Sequence, residues 1–208
     1  KDITQYLKLV LTHATETVTG ENPKTPGTPI NPDDPDSPTY GEETSREHLV
    51  IKSVDVIEYE GAGDKTPETN TRTNDATLTR TVTIDKVTGV VIATGEWTGK
   101  FIYESIKTHK IDGYTVSLEN AGGTAISSGD ANEAVAGVIT RKVKVVYTPE
   151  KQELQLKVYD QDLDKYLGKT DSFYGLTDQE VGEDPQTRLD ELKKQFAERG
   201  FDIVEVPE

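Results

Sequence analysis

The chain has 208 residues, and its 38 Asp and Glu outnumber its 23 Lys and Arg, giving a net charge of −15 and an isoelectric point near 4.6. This balance argues against a nucleic-acid partner or an anionic membrane surface, because both require a cationic face. No apolar run reaches the length of about 18 residues that membrane insertion needs, and the absence of cysteine excludes disulfides and thiol chemistry. Methionine is absent too, which favours an internal segment of a longer protein.

The first predicted element is a strand over residues Ile3–His13. Leu7, Leu9 and Leu11 fall on one face of this strand, with Lys8 and Thr12 on the other. No partner strand follows directly in the sequence, so we expect the segment 1–18 to be the terminal strand of a sheet formed elsewhere.

A proline-rich segment, residues 19–45, comes next. Between Pro23 and Pro38 a proline occupies every third position. The polyproline II helix has three residues per turn, so this pattern predicts a stiff linker extending roughly 50 Å. A docking ligand for an SH3-like domain is the alternative, which the acidic flanks disfavour.

Residues 46–149 predict a β-rich domain. Its clearest strand pattern alternates apolar residues, expected to point inward, with threonines, expected to point outward. The apolar set is Ala76, Leu78, Val82 and Ile84, and the polar set is Thr77, Thr79, Thr81 and Thr83. A short helical segment is predicted near Tyr103–Thr108.

Residues 150–208 predict a hairpin, a helix and a further strand, "FDIVEV". The helix has Asp184 as its N-cap, Pro185 at its first position and Gly200 at its end. Strand, strand, helix, strand is an incomplete β-grasp that lacks its last strand. We hypothesise that the segment 3–13 completes it, either by strand exchange with a neighbouring molecule or by the linker doubling back, and we favour the neighbour.

Several motifs in order resemble the mucus-binding (Mub/MucBP-type) repeats of adhesins on lactic acid bacteria. They are the sequences "TRTVTIDKVTGVV", "GEW", "IDGYT" and "VITRKVKVVYT", preceded by "LKLVLTHATETVT" leading into "PGTPINPDDPDSP". This order covers nearly the whole chain and is more specific than any one motif.

The resemblance implies a mostly β, α+β fold of two ubiquitin-like β-grasp-type domains in an elongated rod. Residues 46–149 would be the second (B2-like) domain of a repeat, and residues 150–208 the first (B1-like) domain. The family implies an extracellular, cell-wall-anchored protein of tandem repeats that bind mucin glycoproteins, with no catalysis. An immunoglobulin-binding module on the same fold and a purely structural stalk are the alternatives.

Catalytic chemistry is not expected from these residues. His13, His48 and His109 lie in separate regions, without a serine elbow or zinc-ligand spacing. No cofactor is expected either.

The carboxylates of Asp160, Asp162 and Asp164 copy the first ligand positions of a calcium loop, but Lys165 replaces the required glycine. A polar hairpin turn is therefore favoured, and a calcium ion bound there would be adventitious.

Aromatic residues are the candidate binding residues. Trp97, Tyr103 and Tyr114 would serve either as stacking platforms for mucin sugars or, more simply, as core anchors. Tyr166, Phe173 and Tyr174 are the candidates for an immunoglobulin contact. Because mucins carry sialic acid and sulfate, we expect binding to tighten in mild acid, where this acidic chain loses negative charge.

Overall fold

The computed structural model describes residues 5–182 and 184–204, and the fold is mostly β, as predicted. Its strands are β1 (Thr15–Thr19), β2 (Val50–Glu60), β3 (Asn70–Thr79), β4 (Thr81–Asp85), β5 (Val91–Thr94), β6 (Lys100–Ile102), β7 (Ser105–Lys107), β8 (Tyr114–Val116), β9 (Asn120–Gly122), β10 (Ala125–Ser127), β11 (Val138–Pro149), β12 (Lys151–Asp160) and β13 (Lys165–Leu176). Its α-helices are α1 (Arg46–Leu49) and α2 (Pro185–Glu198).

The chain divides into two compact units. Unit 1 contains Lys1–Glu58, Glu68–Lys107 and Asn120–Lys144, and unit 2 contains Tyr59–Pro67, Thr108–Glu119 and Val145–Glu208. The long strands β2 and β11 contribute residues to both units.

Unit 1 is built from small sheets around two apolar clusters. One sheet has the order β1-β4-β5, a second contains β3, β2 and β11, and the pairs β6–β10 and β7–β9 complete the unit. The first cluster consists of Val18, Ile30, Tyr40, Leu49, Val50, Val82 and Ile84. The second consists of Ile51, Leu78, Tyr103, Ile126 and Ile139. Short Thr-rich strands bury one side chain in two, which is why each cluster is small.

The predicted 50 Å linker is wrong, because the proline-rich segment folds back on itself. The amide of Ile30 donates to the carbonyl of Pro38 at 2.9 Å, and the amide of Tyr40 donates to the carbonyl of Thr28 at 3.0 Å. Ile30 and Tyr40 are buried in the first cluster of unit 1. Two apolar residues spaced ten apart therefore convert a proline-rich stretch into an anchored loop.

The predicted strand over Ile3–His13 is not formed within the described residues. Residues 5–14 have no regular secondary structure, and residues 3 and 4 lie outside the described range. Strand β1 begins only at Thr15, which is paired with Asp85 of β4. A strand needs a partner for its backbone groups, and residues 5–14 pair with no strand of residues 5–182 and 184–204.

Two further predictions within unit 1 need correction. The segment 103–108 is not helical, because residues 105–107 form β7 and pair with β9. The threonine pattern holds for β4, where Val82 and Ile84 are buried, but fails at Thr77, which is buried while Ala76 is exposed. The strand register shifts between Ile51 and Ser53 of β2, which lie opposite Leu78 and Asn74 of β3, and this irregularity interrupts the alternation at Ala76 and Thr77.

Unit 2 contains the antiparallel hairpin β12–β13, the helix α2, and β8 paired with the end of β11. Helix α2 begins as predicted, because the side chain of Asp184 accepts the amide protons of Gln186 and Thr187 and Pro185 follows it. The predicted strand "FDIVEV" is not formed at residues 201–204, and the remainder of it lies outside the described residues.

Candidate functional site

Three exposed tyrosines lie on one face of the hairpin β12–β13. The strand register places Tyr159 opposite Tyr166, and Glu153 opposite Tyr174. Residues directly opposite in an antiparallel pair share a face, as do residues an even number apart in one strand. The exposed fractions of Tyr159, Tyr166 and Tyr174 are 49%, 68% and 68%. We call this surface the tyrosine face.

The tyrosine face has a defined local geometry. The rings of Tyr159 and Tyr166 meet edge to face, with centroids 5.2 Å apart. The ammonium nitrogen of Lys157 lies 5.9 Å from the centroid of Tyr166. Exposed rings offer flat apolar surface to a sugar, and a neighbouring ammonium offers a partner for a sugar carboxylate or sulfate.

Hydrogen bonds orient the polar groups of the tyrosine face. The Tyr159 hydroxyl donates to the carboxylate of Asp164, and this hydrogen bond, together with desolvation, raises the pKa of Tyr159. Gln155 Nε2 donates to Glu153 Oε1 at 2.8 Å, and this bond is the first of several that lower the pKa of Glu153. The face therefore presents the neutral phenol of Tyr159 and the ionised carboxylate of Glu153 at neutral pH.

Phe173 is not part of this face. It is paired with Leu154 and is 7% exposed, on the side of the hairpin that faces α2. On the same side, Arg188 Nε of α2 donates to Asp171 Oδ2 at 2.9 Å. The three candidates for an immunoglobulin contact thus separate into two exposed tyrosines, Tyr166 and Tyr174, and the buried Phe173.

The hairpin turn uses the carboxylates that resembled a calcium loop. Asp160 Oδ1 accepts the amide protons of Asp162 and Leu163, at 3.1 and 3.0 Å. Asp164 adopts a left-handed conformation with φ of 51°. Across the described residues, no group of three or more His, Cys, Asp or Glu side chains is placed to hold a metal ion.

Tyr103 belongs to the second apolar cluster of unit 1, and Trp97 packs against this cluster. Trp97 is half-buried, and the guanidinium of Arg80 lies 4.7 Å from its ring centroid. Tyr103 is 4% exposed, and its hydroxyl donates to the carbonyl of Ser53 at 2.9 Å. Tyr103 therefore cannot contact a ligand in this structure, whereas Trp97 keeps part of its ring accessible.

Tyr114 of β8 lies in a polar cluster of unit 2. Its hydroxyl donates to Asp178 Oδ2 at 3.1 Å, and the ammonium of Lys65 lies 2.5 Å from the same oxygen. The hydrogen bond from Lys65 is the main cause of the lowered pKa of Asp178. The Tyr114 hydroxyl thus already has a hydrogen-bond partner within the protein, the carboxylate of Asp178.

Each histidine contacts a different kind of group. Nδ1 of His13 lies 2.7 Å from Asp85 Oδ2, and Nδ1 of His48 lies 2.9 Å from Ser45 Oγ. His109 contributes its backbone carbonyl, which accepts the Tyr147 hydroxyl proton at 2.7 Å. Among the hydrogen bonds of the described residues, no histidine joins a hydroxyl nucleophile to a carboxylate, as a catalytic triad requires.

Within residues 5–182 and 184–204, neither α-helix has the length and apolar character needed to cross a bilayer. The observations together define a mostly β module that exposes three tyrosines on one face of the hairpin β12–β13. The model of the Muc B2-like domain family matches residues 44–151, more than half of the chain. The chain belongs to this family.

Three solved structures similar to this chain are mucus-binding or mucin-binding domains of other bacterial proteins. The type 2 repeat of the mucus binding protein MUB from Lactobacillus reuteri is 19% identical, with a TM-score of 0.42, over 66% of this chain and 60% of its own length. The MucBP domain of an adhesion protein from Pediococcus pentosaceus is 27% identical, with a TM-score of 0.34, over 48% of this chain and 99% of its own. The mucin-binding domain of Spr1345 from Streptococcus pneumoniae is 19% identical, with a TM-score of 0.33, over 67% and 97%. No curated protein matches the chain.

Proposed function

We propose that this chain is part of an extracellular bacterial adhesin and binds mucin glycoproteins without catalysis. Membership in the Muc B2-like domain family supports the adhesin role. The tyrosine face is the single structural observation that favours a binding surface, because it exposes three aromatic rings on one side of the hairpin. In the parent protein, tandem repeats anchored to the cell wall would bind mucin through many weak sites at once. Once one repeat is bound, its neighbours are held at a high effective concentration, so the overall affinity exceeds that of a single repeat.

Binding of the 208-residue chain to immobilised mucin tests the proposal. We expect the double variant Tyr166→Ala, Tyr174→Ala to bind at least about ten-fold more weakly, because stacking on an aromatic ring contributes about 1 kcal/mol for each ring. The variants Tyr166→Phe and Tyr174→Phe should retain most of the binding, since they keep the rings.

Val135→Ala is the matched control, because Val135 is an apolar residue of unit 1 that is 79% exposed and lies outside the tyrosine face. If the double variant binds mucin as tightly as the natural chain, the tyrosine face is not the mucin site. Trp97 would then be the next residue to substitute. A chain that binds no mucin at all would favour the structural stalk.

The charge of the chain predicts how mucin binding depends on pH. Its net charge is −15 at pH 7, and its isoelectric point is near 4.6. Repulsion from sialic acid and sulfate should therefore weaken as the pH falls from 7 toward 4.6, and binding should tighten. Equal binding at pH 7 and 4.6 would contradict this expectation.

Immunoglobulin binding is the second candidate function. The hairpin β12–β13 favours it, because each of its strands is paired with the other strand only, among the described residues. An unpaired strand edge can accept a strand from another protein. Binding to non-immune antibody separates this function from mucin binding, since a pure mucin adhesin would give no signal.

A further inference from the structure

The inner side of the hairpin in unit 2 leaves an apolar groove open against helix α2. The groove has a volume of about 830 Å³, and its apolar lining includes Leu156, Val158, Leu167, Leu189, Leu192 and Phe196. Tyr159 and Tyr166 of the tyrosine face also line it, as do Phe201, Ile203 and Val204, which follow α2 in the chain. A two-stranded sheet with one helix is seldom stable alone in water, because it leaves part of its apolar face wet. The groove is therefore a surface that requires a cover.

The edge of β12 is open along the same groove. Strand β12 is paired with β13 on one side, and on its other side no strand pairs with it among the described residues. Leu154 at this strand is 47% exposed although it points to the side of α2. The groove thus lacks a strand, and a strand added at this edge would supply both backbone hydrogen bonds and apolar side chains.

The segment 5–13 has the properties that such a strand needs. Leu7, Leu9 and Leu11 are 100%, 80% and 79% exposed, and their alternation would place all three on one face of a strand. The segment has nine residues, which matches the ten residues of β12. It contains Lys8 and no carboxylate, so it adds no negative charge when it approaches a copy with a net charge of −15.

We propose that residues 5–13 of one copy of this chain add as a strand to the open edge of β12 in a second copy. The three leucines then cover the groove, and residues 5–13 form a strand only in the assembly. Because donor and acceptor are different surfaces, the contact is heterologous, and it produces either a closed dimer or an open head-to-tail series. This inference does not depend on mucin binding.

The mass of the chain in solution, measured by light scattering over a range of concentrations, is the first test. We expect the mass to rise above 22.9 kDa as the concentration increases. Leu9→Asp should raise the midpoint concentration at least about ten-fold, because it places a charge in an apolar groove. Thr12→Asp is the matched control and should change the midpoint little, since Thr12 lies on the opposite face of the segment.

Chemical cross-linking distinguishes a second copy from closure within one chain. The chain has no cysteine, so Leu9→Cys and Leu156→Cys can be placed on separate copies, mixed, and treated with a short bismaleimide. We expect a product of twice the chain mass. A doubly substituted chain that cross-links only within itself, a mass that stays at 22.9 kDa at every concentration, or an assembly that Leu9→Asp leaves intact would each overturn the proposal.

Discussion

The guanidinium of Arg72 donates through Nη2 to Oδ2 of Asp55 at 2.5 Å, and the Asp55 side chain is only 2% exposed. The two residues are direct cross-strand partners in β2 and β3. Arg72 also donates through Nη1 to the carbonyl of Glu104, and its guanidinium lies 5.3 Å from the ring centroid of Tyr103. One cation therefore ties a buried carboxylate, a loop carbonyl and a core aromatic together in unit 1.

Removing only the cation should lower the free energy of unfolding much more than removing both charged residues. Arg72→Leu leaves the carboxylate of Asp55 buried without a cation, and we expect the free energy of unfolding to fall by about 3–5 kcal/mol. The double variant Arg72→Leu, Asp55→Leu should recover much of this loss, because an apolar pair of similar size carries no desolvation cost. Urea unfolding measures both, and equal losses in the two variants would contradict the argument.

The proline-rich segment should behave as a folded loop. Ile30 is 7% exposed in the first cluster of unit 1, so Ile30→Ala should lower the free energy of unfolding by about 2 kcal/mol. The same substitution should speed proteolysis between residues 23 and 40, because the loop loses its anchor. Pro32→Ala is the control, since Pro32 is exposed at the loop tip. An extended spacer would respond equally weakly to both substitutions.

Local signals in the sequence were sufficient to predict some elements. Helix α2 begins where Asp184 and Pro185 indicated, because capping and the fixed φ of proline act within one turn. The burial of Val82 and Ile84 likewise follows from their alternation. These features depend on neighbours a few residues away.

Other features depend on contacts that are distant in sequence, and they could not be predicted. The fold of the proline-rich segment depends on Ile30 and Tyr40 reaching a core with Val82. Tyr103 is buried because Ser53, fifty residues earlier, accepts its hydroxyl proton. The tyrosine face emerges only from the register of β12 and β13, although Tyr166 and Tyr174 were already candidates.

The cap of helix α2 predicts a dependence of stability on pH. Hydrogen bonds from the Thr187 side chain, and from the amides of Gln186 and Thr187, lower the pKa of Asp184. A carboxylate whose folded pKa is lowered stabilises the fold above its unfolded pKa, which is near 4, and this contribution disappears as the pH falls through the folded value. We therefore expect α2 to lose stability below about pH 4.

Circular dichroism during urea unfolding at pH 6 and pH 3 checks this expectation. Asp184→Asn keeps an acceptor for the helix amides but cannot titrate, so its stability should change less between the two pH values than that of the natural chain. Asp184→Ala should be less stable than the natural chain at pH 6, because it removes the cap. If the stability of the Asp184→Asn variant depended on pH as strongly as that of the natural chain, the Asp184 carboxylate would not be the cause of the pH dependence.

Substitution of two neighbouring glycines of unit 2 should lower the stability of the fold by very different amounts. Gly61 has φ of 104°, and a Cβ there would lie 2.1 Å from the carbonyl oxygen of Tyr147. Gly63 has φ of 53°, and a Cβ there would meet nothing within 4 Å. Gly63→Ala should therefore lower the free energy of unfolding by only about 1 kcal/mol, because alanine is less stable than glycine in the left-handed conformation.

Gly61→Ala adds a clash with backbone to its strained conformation, so we expect a loss of about 3 kcal/mol or more in the free energy of unfolding. Because Tyr147 is 1% exposed and its hydroxyl donates to the carbonyl of His109, its backbone cannot retreat without breaking this contact. Urea unfolding compares the two variants, and hydrogen exchange at the amides of β11 and β8 should rise in Gly61→Ala alone. Equal stability of the two variants would mean that β11 is free to move away from Gly61.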